Sequence, residues 1–375
     1  MKSTLAKRVL DMACTLQQIP APTFSEGKRA DFIVEQFKRI GLEQVFVDEA
    51  GNVLAKIPGR EETLPLVISA HMDTVFPLYT DLTLVKEVDK IYGPGIGDNS
   101  LGVAALFGLA WELCPDPGKS GEKVCSELPG DIWLVANVCE EGLGDLLGMR
   151  AVVDRFTDQV KAYLVLEGMA LGQIYNRALG VHRYKINART GGGHSWVDFG
   201  KPSAIHELSG FVNQLGMLTI PASPRTTYNV GKISGGTSVN TIASEASLEL
   251  DLRSEDSQAL TLLITQVQEL VRAANKPGIE MTFETIGSRP SGQLSQSHTL
   301  IRLAQEVIRA HGYQPNLIIG STDANIPLSS GYPAICVGIT HGAGAHTTGE
   351  FIQTRPVAKG MAQVIDLVSE IFAEL

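Results

Sequence analysis

Nowhere in these 375 residues is there a run of about 18 apolar residues, the length that spans a bilayer, so no membrane span is expected. Basic clusters are missing as well. Lys and Arg number 31 against 41 Asp and Glu, for a net charge of −10, which leaves no footprint for nucleic acid or an anionic membrane surface. Cysteine is sparse. Cys14, Cys114, Cys125, Cys139 and Cys336 are scattered, odd in number and never in a CxxC pair, which fits a reducing, cytoplasmic setting better than a disulfide framework. Ser100 in GDNSLG and Ser238 in GGTSVN lie outside any G-x-S-x-G elbow, which argues against serine hydrolase chemistry. GPGIGD is glycine-rich but lacks both G-x-G-x-x-G spacing and a GK[ST] ending, which argues against nucleotide binding. Cys139, beside Glu140, reads as a buried strand-end thiol rather than a nucleophile.

What is present is an ordinary globular composition, 44% hydrophobic and 19% charged, at a length that suggests two domains or one domain with an insertion. Arg8 and Asp11 interrupt the apolar part of the N-terminal segment. Leu5, Val9, Met12, Ala13 and Leu16 keep helical spacing, so an amphipathic helix is expected there rather than a signal peptide. LPLVISA (64–70), DIWLVANV (131–138) and AYLVLEG (162–168) are nearly continuous apolar runs, the pattern of strands buried on both faces of an α/β sheet. Helices are expected over about 29–40 and 100–113.

From about residue 180 the pattern alternates. RYKINAR (183–189) and SLELDLR (247–253) alternate cleanly and MTFETIG (281–287) less so, as antiparallel strands with one covered face do. Helical spacing of Leu260, Leu263, Ile264, Val267, Leu270 and Val271, and a helix opening at Pro202, complete an α+β unit. Buried strands return at NLIIG (316–320) and AICVGI (334–339), followed by a helix over 355–374. The expected fold class is α/β, a mixed, mostly parallel sheet flanked by helices, with an inserted α+β domain. The expected domains are 1–179 and 291–375 for the first and 180–290 for the insertion.

In open α/β sheets ligands collect at the carboxyl ends of strands. LPLVISA is followed by His71-Met72-Asp73, and IWLVANV by Cys139-Glu140-Glu141. YLVL is followed by Glu167, and AICVGI by a segment with His341 and His346. Asp98 precedes a helix opening near Ser100. Any one of these has a bland reading, such as a helix N-cap for Asp98 or a solvated loop acid. Together, carboxylates and imidazoles converging without a cation would suffer repulsion and desolvation costs of several kcal/mol. His, Asp and Glu without Cys suit Zn²⁺, with Mn²⁺ or Co²⁺ as alternatives. His71, Asp98, Glu141, Glu167 and one late His exceed the needs of one catalytic metal, and a bridging carboxylate would serve two. Asp73, two residues after His71 in an extended segment, leans to the same side and is suited to accept the other imidazole N–H.

HMDTVFP, GIGDNSLG, CEEGLGD, LEG and GAHTTGE, in this order, resemble the co-catalytic dizinc family of exopeptidases, aminoacylases and desuccinylases. That family includes carboxypeptidase G, peptidase T, aminoacylase and succinyl-diaminopimelate desuccinylase. The resemblance runs along most of the chain, and the loops around GIGDNSLG and GGGHSWVDFG look closest to peptidase T-like members. It implies His71 and Glu167 on one metal, Glu141 and His346 on the other, and Asp98 between them. It further implies Asp73 orienting His71 and Glu140 as general base and acid. His346 is preferred over His341 because HTTGE resembles the family's His-Thr-x-x-Glu segment, although its glycine stands where many members carry Asn. The inserted domain resembles the family's lid and dimerisation domain, which implies a homodimer. His194 in GGGHSW is then expected to polarise the scissile carbonyl in the neighbouring subunit, with Asn240 and Arg253 contacting substrate. Arg253 lies on the strand face opposite Leu248, Leu250 and Leu252, and its fork binds a carboxylate bidentately. Asp323 in STDAN is a supporting residue.

The expected reaction is hydrolysis of a small peptide's amide bond by an exopeptidase of di-/tripeptidase or carboxypeptidase type. One alternative is an amidohydrolase acting on N-acyl amino acids. In the family, Glu at the position of Glu167 goes with carboxypeptidases and deacylases and Asp with aminopeptidases, which pulls against the peptidase T-like loops. A second alternative is a metal-free binding protein on the same fold, which would require missing ligands.

Overall fold

The computed structural model describes residues 2–114 and 128–375. The chain divides into two compact units, Met1–Ala178 with Gly292–Leu375, and Leu179–Ser291.

Among the described residues, the main sheet of the first unit has nine strands. In spatial order eight of them are Glu43–Val47, Val53–Ile57, Ile132–Asn137, Leu66–His71, Ala162–Glu167, Ala334–Gly338, Gln173–Ala178 and Gly292–Gln293. Asn316–Gly320 pairs with Gln173–Ala178 off this path. The central four run parallel, and antiparallel pairs close both edges. Parallel strands need cover on both faces. Leu66, Ile68 and Ala70 belong to one apolar layer, and Val67 belongs to the other with Val135, Tyr163 and Val165. The first layer is roofed by Lys2–Gln17, Gly27–Ile40, Leu101–Leu113, Thr299–Ala310 and Val357–Glu374. Leu101–Leu113 is apolar almost all round and nearly every residue is buried, as for a helix with neighbours on several sides. Thr299–Ala310 buries only one stripe, Leu300, Ile301, Leu303, Ala304, Val307 and Ile308. Full burial of each such Leu or Ile contributes about 1.5–3 kcal/mol. Leu147–Phe156 and Asn325–Ser329 cover the other face.

The parallel strands finish together at one edge, with His71 beside Asn137 and Gly338 beside Glu167. A small sheet of Val85–Lys86, Lys90–Tyr92, Phe351–Gln353 and Gly342–Ala343 carries two further loops, before Asp98 and around His346.

The second unit is an antiparallel sheet of Thr226–Gly235, Glu245–Ser254, Gly180–Thr190 and Ile279–Arg289, in that order. Ala204–Leu215 and Ser257–Ala274 pack on the face made by Tyr184, Ile186, Leu248, Leu250 and Leu252. Asp256 caps the second helix, accepting the Ala259 N–H at 2.8 Å. Thr226–Gly235 was not legible in the sequence. It is an edge strand with mostly exposed side chains, so it lacks the alternation that marks its neighbours.

Cys114 is disulfide-bonded. Cys14, Cys139 and Cys336 are free and buried. No described helix is long and apolar enough to cross a membrane.

Candidate metal centre

The carboxyl edge of the main sheet gathers the acidic and imidazole side chains. His71 and Glu167 are the last residues of their strands, so each is delivered by a fully paired backbone. Asp98 sits in the irregular turn Ile96–Ser100 that opens the helix Leu101–Leu113. His71 Nε2 lies 3.1 Å from Asp98 Oδ1 and 3.8 Å from Glu167 Oε2. His346 Nε2 lies 3.2 Å from Asp98 Oδ2 and 3.1 Å from Glu141 Oε1. Donor atoms of His71, Asp98 and Glu167 lie within 4.8 Å of one another, as do those of Asp98, Glu141 and His346. Asp98 is common to both triads, one oxygen toward each histidine. His341 packs edge-on against Tyr313, with ring centroids 5.7 Å apart, and belongs to neither triad.

The two glutamates after Val138 do not continue the strand. Cys139 takes φ 57°, a left-handed conformation uncommon for a residue with a side chain. Its N–H donates to Glu26 Oε1 at 3.1 Å. The turn aims the next two N–H groups at one carboxylate. Glu140 N–H donates to Asp73 Oδ1 and Glu141 N–H to Asp73 Oδ2, each at 2.9 Å. Thr23 adds its hydroxyl to Asp73 Oδ2 at 2.9 Å. Asp73 Oδ1 is also 3.4 Å from His71 Nδ1, a long contact without hydrogen-bond alignment. Asp73 therefore holds the Glu140-Glu141 backbone as well as facing His71, a role sequence reasoning missed. Glu140 itself lies with His71 and Glu141, donor atoms within 4.8 Å.

Further buried residues brace the site. Arg29 donates to the Ile19 carbonyl from Nε and Nη2 at 3.1 and 2.6 Å, and to the Met72 carbonyl at 2.8 Å. Asn99 Nδ2 donates to the Leu166 carbonyl at 2.9 Å, and its oxygen accepts from Gly168 N–H at 2.8 Å. Asn137 Nδ2 donates to Asp323 Oδ2 at 2.7 Å, which puts Asp323 at the same sheet edge. Arg29, Asn99 and Asn137 carry no signal of their own in the sequence, because their partners lie elsewhere in it: backbone atoms for Arg29 and Asn99, the Asp323 carboxylate for Asn137.

Crowding sets the electrostatics. Burial pushes the Glu167 carboxyl well above its usual range, with Asp98 and Glu140 adding to the rise against the opposing pull of His71. Burial would lower His71, yet the Asp73 and Asp98 carboxylates hold it well above the ordinary histidine value. Hydrogen bonds to Asp98 and Glu141 push His346 up to about 10. Asp98 goes the other way. Burial works against its ionisation, but His346 and His71 hold it well below the usual carboxylate range. The surrounding carboxylates thus favour positive charge at both imidazoles. The donor set of two imidazoles and several carboxylates, without thiolate, with one carboxylate facing both triads, fits a pair of divalent cations.

The remaining expected site residues lie in the second unit. His194 and Asn240 are brought together. Ser195 N–H donates to the Asn240 carbonyl at 3.0 Å, and the Gly193–His194 strand pairs with Thr241–Ile242. The His194 ring accepts through Nδ1 from Trp196 N–H at 3.2 Å, and the residue is exposed. Trp196 is 84% exposed and Phe199 91%. Arg253 does not stand alone on its face. Its Nε and Nη2 donate to Asp251 at 2.7 and 3.2 Å, and Asp251 also accepts from Arg183 at 3.0 Å. Part of its fork is therefore engaged within the sheet.

The fold and the site define a metallopeptidase-type hydrolase acting on C–N bonds. Residues 178–279 match the peptidase dimerisation domain family, and residues 52–191 match peptidase family M28. A succinyl-diaminopimelate desuccinylase of Corynebacterium glutamicum is 26% identical over 345 residues, covering 89% of each chain. A tripeptidase of Staphylococcus aureus superposes with TM-score 0.81 at 23% identity, covering 98% of this chain and 99% of that one. A dinuclear metal binding peptidase of the M20 family from Bacillus subtilis superposes with TM-score 0.71 at 18% identity over the whole of both chains. The chain thus carries a peptidase dimerisation domain and is similar along most of its length to a desuccinylase, with the fold of M20-type peptidases.

Proposed function

We propose that the chain hydrolyses an amide bond at the end of a small peptide, as a di- or tripeptidase or a carboxypeptidase. His71 and Glu167 hold one divalent cation, Glu141 and His346 a second, and Asp98 is shared. The observation that carries this reading is Asp98, with Oδ1 3.1 Å from one histidine and Oδ2 3.2 Å from the other. Zinc is the favoured ion, since imidazole and carboxylate donors suit it, with Mn²⁺ and Co²⁺ as alternatives.

Two cations so bound would supply Lewis acidity, lowering the pKa of water and polarising a carbonyl oxygen. Glu140 is outside both triads that contain Asp98, and its backbone is anchored on Asp73. It is assigned the proton. It takes one from the attacking water and returns it to the departing amine, so the water's oxygen stays on the carbonyl carbon and the C–N bond breaks. His194 is assigned to the carbonyl oxygen in the active site of the neighbouring subunit, and Asn240 and Arg253 to substrate. Homodimerisation through the second unit is supported by the dimerisation-domain match and by the exposed Trp196 and Phe199 beside His194.

A second reading has its own support. The desuccinylase likeness extends over most of the chain, and Glu167 stands where deacylases of the family carry Glu. On this reading the substrate is an N-acyl amino acid and the residues keep their roles. One experiment tests both. The chelator-stripped protein is reconstituted with Zn²⁺, Mn²⁺ or Co²⁺, its metal content measured, and its activity screened on free and end-blocked di- and tripeptides and on N-succinyl and N-acetyl amino acids. Two metals per chain and turnover of one class are expected. Two metals without turnover of any would refute amide hydrolysis.

A further inference from the structure

A carboxylate unused by the reaction as proposed lies beside the candidate metal centre. Glu350 closes the HTTGE segment and is fully buried. Its Oε2 accepts the Gly95 N–H at 2.8 Å, and its Oε1 accepts the Gly97 and Asp98 N–H groups at 2.7 and 2.8 Å. Its own carbonyl accepts from Gly93 N–H at 2.9 Å. The glycines of GPGIGD let the loop adopt the shape that makes this contact. Gly95 sits at φ +73°, and a Cβ at Gly97 would meet Met169 Cγ at 2.7 Å and Ile352 Cγ2 at 2.9 Å. Backbone N–H groups converging this way form an anion-binding concavity. In this protein the anion is its own glutamate.

Glu350 also belongs to the turn that presents His346, four residues earlier. The Glu350 N–H donates to the Thr347 carbonyl at 3.2 Å, and Thr347 N–H to the Gly344 carbonyl at 3.0 Å. The next residue, Phe351, pairs with Tyr92 in the small sheet. One side chain therefore joins the loop of Asp98 to the turn of His346.

We propose that Glu350 is a positioning residue that holds Asp98 and His346 in register, and thereby sets the affinity for the cation those two share with Glu141. This rests on the two-cation reading above. His71 and Glu167 are held by the main sheet, so the first cation loses only its hold on the shared Asp98, while the second loses the placement of both Asp98 and His346 and is affected more. An amide at position 350 offers an N–H₂ where three N–H donors converge, so the loop must shift and carry Asp98 with it.

The test is titration calorimetry of Zn²⁺ into the chelator-stripped full chain, with the visible absorption of the Co²⁺-loaded protein as a second readout. Wild type is expected to show two uptake steps. Glu350→Gln is expected to weaken one step about 10- to 100-fold, the usual effect of losing a group that orients a ligand, to weaken the other distinctly less, and to alter the Co²⁺ spectrum. A purely architectural role would lower the unfolding temperature of the metal-free variant and leave both steps and the spectrum as in wild type, and that result overturns the proposal. Should Glu350→Gln not fold, Glu350→Asp, which retains the charge on a shorter arm, is expected to show the same selective loss in smaller degree. Wild-type affinities in Glu350→Asp would then overturn it. A wild-type chain that takes up only one cation overturns the two-cation reading itself, before any variant is compared.

Discussion

Replacing Asp73 separates two consequences of one carboxylate. The side chain is fully buried, and its two oxygens accept the N–H groups of Glu140 and Glu141 at 2.9 Å each. Asp73→Ala leaves both donors without an acceptor, and each buried orphan costs about 1–3 kcal/mol, or roughly 2–6 kcal/mol together. Against a typical total stability of about 5–15 kcal/mol that is a large share. Asp73→Asn retains one oxygen and turns an amide N–H₂ toward the other donor, so about 1–3 kcal/mol is expected. Chelator-stripped proteins are unfolded in denaturant, with order wild type, Asn, Ala. Amide exchange gives the local version: Glu140 and Glu141 N–H should exchange faster in Asp73→Asn by roughly 5- to 150-fold, since about 1.4 kcal/mol is tenfold. The dependence on acid has a defined sign. Burial opposes ionisation, but His71 and the two N–H groups hold the folded Asp73 carboxyl below the ordinary aspartate range. Its contribution is thus present above about pH 4 and lost as pH falls through the folded value. Wild type should lose this increment in acid and Asp73→Ala should not. Coincident denaturation midpoints for the three proteins at neutral pH would refute the reasoning.

Three further outcomes follow from the same geometry. Glu140→Gln should retain both cations and lose about 10²- to 10⁴-fold in kcat, the scale of a general acid–base group; metal analysis with steady-state kinetics checks it, and an unchanged kcat removes Glu140 from the proton's path. Metal uptake should release protons near neutral pH, because His71 is held well above 6.5 and His346 is pushed up to about 10, and a ligating nitrogen must be free of its proton. Raised folded values stabilise the metal-free protein fully below pH 6.5 and progressively less as pH rises toward 10, while metal affinity rises over that range. Binding heats measured in buffers of different ionisation enthalpy would show it, and buffer-independent heats would contradict it. Arg29→Met should destabilise by about 2–6 kcal/mol, about 1–3 kcal/mol for each buried group left unsatisfied, because the Ile19 and Met72 carbonyls lose their donors. Unfolding that coincides with wild type would show that the buried guanidinium is dispensable.

The strands with the strongest apolar runs were legible because their side chains meet cover on both faces, as Ile68 and Val67 do on opposite sides of one strand. The alternation at Leu248, Leu250 and Leu252 was legible because only one face of that sheet is covered. The edge strand Thr226–Gly235 and the short strands 85–86, 90–92, 342–343 and 351–353 were not, since pairing at an edge needs backbone and no particular side-chain pattern.

Chemistry that depends on strand ends was written in the chain itself. Local order decides that His71 and Glu167 finish buried strands and that Glu140 and Glu141 follow another, since strand direction and a terminal turn are short-range properties. Tertiary structure alone decided the rest. It put both oxygens of Asp98 between two histidines 275 residues apart in sequence, aimed two consecutive N–H groups at Asp73, paired Arg183 with Asp251, and filled the glycine loop with Glu350. Each of these is a contact between a side chain and a distant atom, fixed by how layers pack, and no local pattern encodes such a distance.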